Sequence, residues 1–240
     1  MCGRFVAAAS VEEIADFFAA VAPKEDIAPA YNIAPSADVE VVVEEPDVER
    51  RIDVYRWGLV PVWAKDLAIG NKMSNARAET AAEKNSFKHS LARKRCIVPA
   101  TGFYEWAAVP GRKTKQPYFI HRVDGAPLAF AGLWAQWKGA LNGKETVVRS
   151  CTILTTSANG TVRPLHDRMP VILEPDSFDR WLDPDLTDVS EISSLMVPAG
   201  EDVVTMYPVS TEVNNARNKG AHLIDPVDLD VSDETGTPGR

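Results

Sequence analysis

Eight short runs rich in β-branched and aromatic residues constrain this chain more than any other feature. They lie at residues 39–43, 51–57, 96–98, 118–123, 128–134, 147–154, 171–173 and 203–206. Runs of this kind, bounded by turn residues, read as β-strands. Helix-compatible segments are fewer, at 80–93, 177–182 and 191–195. One more stands near the N-terminus, where Ser10-Val11-Glu12-Glu13 has capping-box spacing and Ile14, Phe17, Phe18 and Val21 follow at helical intervals. Strands outnumber helices and do not alternate with them, which argues against a doubly wound parallel sheet. The expectation is an α+β fold: a single domain on a strongly curved, mostly antiparallel β-sheet, a partial barrel, with helices around it.

A chain of 240 residues with 45% hydrophobic content can bury one substantial core. The domain is expected to span residues 1–225, and the acidic, turn-rich stretch 226–240 reads as a disordered tail. No run of about 18 apolar residues is present, so no membrane span is expected, and the first residues lack the basic-then-apolar pattern of a secretory signal. Cys2, Cys96 and Cys151 are odd in number and widely spaced. That is neither a disulfide framework nor a zinc pattern, and it fits a reducing cytoplasm. Cys96 and Cys151 sit in apolar runs and read as core residues.

The net charge of −8 hides a strong asymmetry. From Arg50 to Arg122 there are fifteen Lys or Arg against five Asp or Glu, whereas Asp225 to Arg240 holds five acids and one Arg. A basic middle permits nucleic-acid binding that the net charge would disfavour, although a solvated face explains the same charges.

The chemistry lies in short polar islands between the strand-like runs. The first is Met1-Cys2-Gly3-Arg4-Phe5. Initiator Met is commonly removed before a small residue, which would leave Cys2 with an α-amine and a thiol on one Cα. An α-amine has an ordinary pKa of about 7.7–8.0, so part of it is neutral and nucleophilic near pH 7. An aldehyde would condense with that amine, and the thiol would close onto the same carbon as a thiazolidine, with the advantage of an intramolecular step.

Five further islands follow: Tyr31-Asn32-Ile33-Ala34-Pro35, Trp57-Gly58-Leu59-Val60-Pro61-Val62-Trp63, Asn75-Ala76-Arg77-Ala78-Glu79-Thr80, Gly102-Phe103-Tyr104-Glu105-Trp106 and His166-Asp167-Arg168-Met169-Pro170. With the N-terminal island and the later Pro208-Val209-Ser210 and Val213-Asn214-Asn215 segments, this series resembles the SRAP family of SOS-response-associated peptidases, which process abasic sites. The resemblance runs from Cys2 to about Gly220.

The resemblance implies a protein that binds single-stranded DNA and crosslinks Cys2 to the ring-opened abasic sugar. Lyase-type Schiff-base chemistry and self-removal of Met1 are implied beside it. Asn75 matches the asparagine at the reacting terminus, Glu105 the carboxylate beside the amine, and His166 the histidine that assists ring opening and crosslink reversal. A carboxylate among Phe103, Tyr104 and Trp106 should have a raised pKa, which suits proton transfer. Arg4, Arg77 and Arg168 match phosphate-contacting arginines, each within two residues of a catalytic candidate; their bland role is pairing with Glu79 or Asp167. Trp63 and Trp106 are candidates to stack on unpaired bases, whereas Trp134 and Trp181 read as core. Asn32 and Pro35 match a loop near the DNA, and Asp167 reads as an orienting partner of Arg168 or His166.

No metal or organic cofactor is implied, because the Cys and His residues are scattered and no glycine-rich phosphate loop is present. The expected partner is abasic single-stranded DNA, the expected state a monomer, and the expected location the cytoplasm, at the nucleoid when DNA is damaged. Two other classes stay open on the residues alone. An N-terminal-nucleophile amidohydrolase would use the same Cys2 thiol with its α-amine as base. A non-catalytic single-strand binder would use the arginines and tryptophans but leave Cys2, Glu105 and His166 idle.

Overall fold

A computed structural model of the chain describes residues 2–23, 27–111, 113–141 and 143–229. The strands are β1 (Phe5–Ala7), β2 (Ala30–Ile33), β3 (Asp38–Glu45), β4 (Val48–Trp57), β5 (Asn75–Arg77), β6 (Arg95–Ala100), β7 (Gly102–Ala107), β8 (Gln116–Arg122), β9 (Leu128–Leu141), β10 (Lys144–Ser157), β11 (Arg168–Pro170) and β12 (Val204–Pro208). The α-helices are α1 (Val11–Phe18), α2 (Ala78–Ala81), α3 (Lys88–Arg93), α4 (Phe178–Leu182) and α5 (Val189–Ser194).

The expected curved sheet closes completely. Strand β4 pairs with β3, β3 with β6, β6 with β9 and β9 with β10, all antiparallel. A short parallel contact, Ser150 with Arg56 and Cys151 with Trp57, then joins β10 back to β4. Gly58 turns the chain out of this seam at φ +132, and a Cβ there would lie 2.5 Å from the carbonyl oxygen of Gly70, so only glycine fits. A second antiparallel sheet runs β12-β8-β7-β1-β2.

Alternation along the barrel strands separates two cores. Val42, Ile97, Ala131 and Leu133 pack with Ile14 and Phe18 of α1, Leu91 of α3 and Trp181 of α4. Val41, Val43, Val98, Phe130 and Cys151 share the other core with Phe5, Phe103 and Ile120 of the second sheet. Edge-on contacts of Phe5 with Trp57 at 5.1 Å and of Phe103 with Phe130 at 5.9 Å tie the two sheets together. Cys96 and Cys151 are fully buried, as are Trp134 and Trp181 to within 4%.

Several boundaries differ from the sequence reading. The Ser10 capping box forms, with both reciprocal bonds made, but α1 stops at Phe18. Ala19 is left-handed, and Val21 instead bridges to Arg51. The segment 80–93 is two short helices separated by a turn. Residues 171–173 form only an isolated bridge, Ile172 to Phe130, while the strand lies just upstream in β11. Pro226 and Val227 are bonded to Val209 and Pro208, so the start of the expected tail is tied to β12; residues 230–240 lie outside the described residues. No helix among the described residues is long and apolar enough to cross a membrane.

Candidate functional site

Four of the polar islands are themselves short strands, and strand pairing brings them together. Strand β1 runs antiparallel to β7 with Phe5 opposite Phe103, and the Tyr104 amide donates to the Arg4 carbonyl at 3.0 Å. Continued toward the N-terminus, this register sets Gly3 opposite Glu105 and Cys2 opposite Trp106. On the barrel, the C-terminal end of β10 carries β5 on one side, with Ile153 opposite Asn75, and β11 on the other, with Ser157 opposite Arg168. The Asn75 island and the His166 island therefore flank one strand end. Asn75 reaches across and donates from Nδ2 to the Cys2 carbonyl at 2.8 Å, joining barrel to second sheet. Its Oδ1 is buried and has no partner among the described residues.

Above this junction lies an open cleft of about 390 Å³, lined by Glu105, Trp106, Lys115, His166 and Asn214. A larger cleft of about 660 Å³, between α1 and the loop after β8, is lined by Ala8, Ala9, Glu13, Asp16, Phe17 and Thr101 among others. It contains no histidine, whereas the smaller one presents His166 with Glu105, so chemistry selects the smaller one.

The electrostatics of the smaller cleft are set by burial. Glu105 is 4% exposed, and burial pushes its carboxyl above the usual range. Cys2 has no exposed surface. Burial, reinforced by the Glu105 charge, holds its thiol protonated far above the usual thiol range. Burial likewise lowers the His166 pKa, so its imidazole is neutral at pH 7. His166 Nδ1 lies 3.0 Å from the Arg168 amide nitrogen and 2.7 Å from Asp167 Oδ1. These contacts demand opposite proton states at Nδ1. In the neutral ring Nδ1 accepts from the Arg168 amide and Nε2 carries the proton, and the exposed Asp167 side chain becomes the partner only when Nδ1 is protonated.

A model of the family described as SOS response associated peptidase (SRAP) matches residues 1–216. The chain belongs to the SRAP family. It is 41% identical over 227 residues to abasic site processing protein YoaM of Bacillus subtilis, covering 94% of this chain and 98% of that one. It is 32% identical over 245 residues to abasic site processing protein HMCES of Pongo abelii, covering 88% of this chain and 69% of that one. Among solved structures, a Bacteroides thetaiotaomicron protein shares the fold at a TM-score of 0.80 with 24% identity, covering 94% of this chain and all of that one. A Bordetella bronchiseptica protein matches at 0.75 with 28% identity, covering 87% of this chain and all of that one.

Within this SRAP chain the remaining candidate residues divide by how they are engaged. Asn32 is fully buried. Its Nδ2 donates to the carbonyls of Val213, Asn215 and Asn218 at 3.3, 3.1 and 3.1 Å, and its Oδ1 accepts from Arg4 at 2.6 Å. It has no surface to offer a ligand, which corrects the expectation of a direct contact. It sews the 213–218 loop to β2, and that loop delivers Asn214 to the cleft. Arg4 is held by Asn32 and by the Val213 carbonyl at 3.0 Å. Arg168 forms a two-pronged pair with Glu79 at 2.6 and 2.8 Å and also donates to the Thr155 carbonyl. The pairing role named for it in the sequence is thus the observed one. Arg77 is exposed and makes no hydrogen bond or ion pair among the described residues.

Trp106 is half-buried at the cleft wall, its Nε1 donating to Asn214 Oδ1 at 2.6 Å. Trp63 is 55% exposed and lines a separate groove with His89, Arg93 and Lys94. Pro35 is half-buried in the turn after β2. Lys115 and Asn214, for which the sequence alone suggests no role, also line the cleft. Asn214 stood inside a quoted motif, whereas nothing around Lys115 distinguished it from neighbouring turn lysines.

Proposed function

We propose that this chain is an abasic-site processing enzyme. In this reading it binds single-stranded DNA and, once Met1 is removed, captures the ring-opened sugar as a thiazolidine on Cys2. The observation that carries it is the junction at Cys2: Asn75 fixes its carbonyl at 2.8 Å, Glu105 lies within charge range of its thiol, and the His166 cleft opens beside them. The names of the relatives support the same substrate class.

The proton inventory follows from the burial just described. Removal of Met1 exposes the Cys2 α-amine, and Glu105 accepts its ammonium proton. His166, neutral with Nε2–H, donates to the ring oxygen as the C1′–O bond breaks and takes back the proton that the anomeric hydroxyl loses, which frees the aldehyde and leaves the imidazole as it began. Amine and aldehyde lose water to form an imine. The thiol then adds across C=N: a C–S bond forms and the thiol proton ends on nitrogen. Holding the thiol protonated until this step suppresses its oxidation and side reactions. Arg77 supplies a backbone contact and Trp106 a stacking surface for an unpaired base.

The test is to incubate Met1-free protein with a single-stranded oligonucleotide bearing one abasic site and look for a heat-stable adduct. Cys2→Ala should give none, and Cys2→Ser only a labile Schiff base that promotes strand cleavage. A stable adduct of normal yield from either variant overturns the mechanism.

A further inference from the structure

We propose that Lys115 is a DNA contact of the cleft, its ammonium binding one backbone phosphate that adjoins the captured sugar. The proposal rests on the reading that this cleft takes an abasic strand, and it adds a residue which that reading does not require.

Of the five residues lining the cleft, Glu105, Trp106, Lys115, His166 and Asn214, Lys115 alone is cationic at neutral pH, because burial keeps His166 neutral. A strand lying over the Glu105 carboxylate brings its phosphates toward a negative charge, so a cation on the rim is what the cleft needs electrostatically. The arginines nearby are committed to the protein: Arg4 to Asn32 and Val213, Arg168 to Glu79 and Thr155. Lys115 is exposed and makes no hydrogen bond or ion pair among the described residues. All three of its donors are available.

Its base is nevertheless fixed. The next residue, Gln116, is 8% exposed. It pairs with Ala107 of β7, and its Nε2 donates to the carbonyls of Pro117 and Val209 at 2.9 and 2.8 Å. Residue 115 therefore leads into β8 at a defined point, next to the pairing of that strand with Trp106 and Ala107. Its positive charge acts on both Glu105 and His166, which line the same cleft.

An unspecific surface lysine would strengthen binding to any strand by diffuse attraction, and Lys113, exposed in the same turn, is the control for that. The experiment uses full-length, Met1-free protein and an abasic single strand. Binding and crosslinking are followed across a salt series for wild type, Lys115→Met, Lys115→Arg and Lys113→Met. Lys115→Met should reduce the log–log salt slope by about 0.7, the contribution of one single-strand phosphate contact. Lys115→Arg should restore the slope, and Lys113→Met should leave it at the wild-type value. Each phosphate flanking the lesion is then replaced in turn by an uncharged methylphosphonate. At one position wild type should fall to the level of Lys115→Met, while Lys115→Met loses nothing further there.

An unchanged slope in Lys115→Met, or a Lys115→Met protein that loses affinity equally at every methylphosphonate, overturns the contact. Wild-type protein that forms no adduct refutes the abasic-site reading itself. Wild-type adduct with a normal Lys115→Met slope removes only the role of Lys115. Lys115→Gln, checked for an unchanged melting temperature, guards against a folding defect peculiar to Met.

Discussion

The barrel and the candidate site are held together by different kinds of interaction. Barrel strands are long, up to 14 residues in β9 and β10, and their register is set by side-chain alternation over two apolar cores. The strands that carry the site are shorter: three residues each in β1, β5 and β11, and six in β7. What holds these in place is polar and specific: Asn75 on the Cys2 carbonyl, Asn32 on three carbonyls of the 213–218 loop, Arg168 on Glu79 and Trp106 on Asn214. Apolar packing fixes where strands lie, whereas the directional bonds fix where individual atoms point. Stability and activity should therefore respond to different substitutions.

The largest separation is expected at Glu105 and His166. Glu105→Gln preserves shape but removes the base, and should slow crosslink formation by about 10²–10⁴-fold with little change in melting temperature. His166→Ala should slow reversal at least as much as formation, because the same proton donor serves both directions. Reversal is followed by chasing labelled adduct with excess unlabelled abasic DNA. Wild-type rates in both directions for His166→Ala would make that histidine structural.

The opposite pole is Trp181 on α4. It is fully buried, donates from Nε1 to the Cys96 carbonyl at 2.8 Å, and accepts at its own carbonyl from Arg95 Nε at 2.6 Å. Trp181→Ala should cost about 3–5 kcal/mol, measured by denaturant unfolding, while the crosslinking rate well below the melting temperature stays near wild type. A large rate loss in the still-folded variant would show that barrel packing reaches the site and would erase the contrast.

The same contrast explains what could be read from the sequence. The barrel was legible because residues 39–43, 51–57, 96–98 and 128–134 carry the β-branched and aromatic residues that strands need to fill a two-sided core. The site strands were not: in β1, β5 and β11 three residues are too few to display alternation, and in β7 Glu105 interrupts the apolar pattern. They were found instead as motifs, through chemistry rather than periodicity. Closure of the sheet was missed in part because it depends on two parallel pairs, Ser150 with Arg56 and Cys151 with Trp57, between strands 94 positions apart in sequence. Asn32 was read as a DNA contact through the motif it shares with Pro35; only its burial shows that its bonds go to a loop. Lys115 was invisible, since an exposed lysine in a turn has no distinguishing pattern before the cleft is assembled around it.

Asn32 lies between the two poles and sharpens the comparison. Asn32→Leu removes the one amide nitrogen that serves three carbonyls, and the acceptor of Arg4, leaving carbonyls unpaired at a cost of about 1–3 kcal/mol. That is less than the loss expected for Trp181→Ala. Crosslinking should nevertheless fall more, because the loop presenting Asn214 to Trp106 loses its anchor. If Asn32→Leu loses stability and activity in the same proportion as Trp181→Ala, the loop is merely packed rather than functionally positioned.

The smallest effect concerns a buried carboxylate that belongs to neither pole. Glu40 of β3 is 7% exposed, touches a small void beside Ile14, Pro99 and Thr101, and its carboxylate has no hydrogen-bond or ion-pair partner among the described residues. Burial pushes its pKa upward. A group whose folded pKa lies above its unfolded value, about 4.3 for Glu, holds its proton longer when folded. The unfolded chain therefore releases that proton first as pH rises. Stability falls from the unfolded pKa up to the folded one and stays at the lower level above it. Below the unfolded value both states are protonated and the penalty vanishes. Glu40→Gln abolishes the titration while keeping the shape, so it should raise stability at pH 8 by about 1 kcal/mol, the lower end of the cost of an unpartnered buried polar group. For a domain of this size that corresponds to about 2–4 °C in melting temperature. The gain should shrink to nothing near pH 4, and the crosslinking rate should not change at either pH. A gain that is the same at pH 4 and pH 8 would mean that glutamine improves packing, and that Glu40 titrates alike in the folded and unfolded chain.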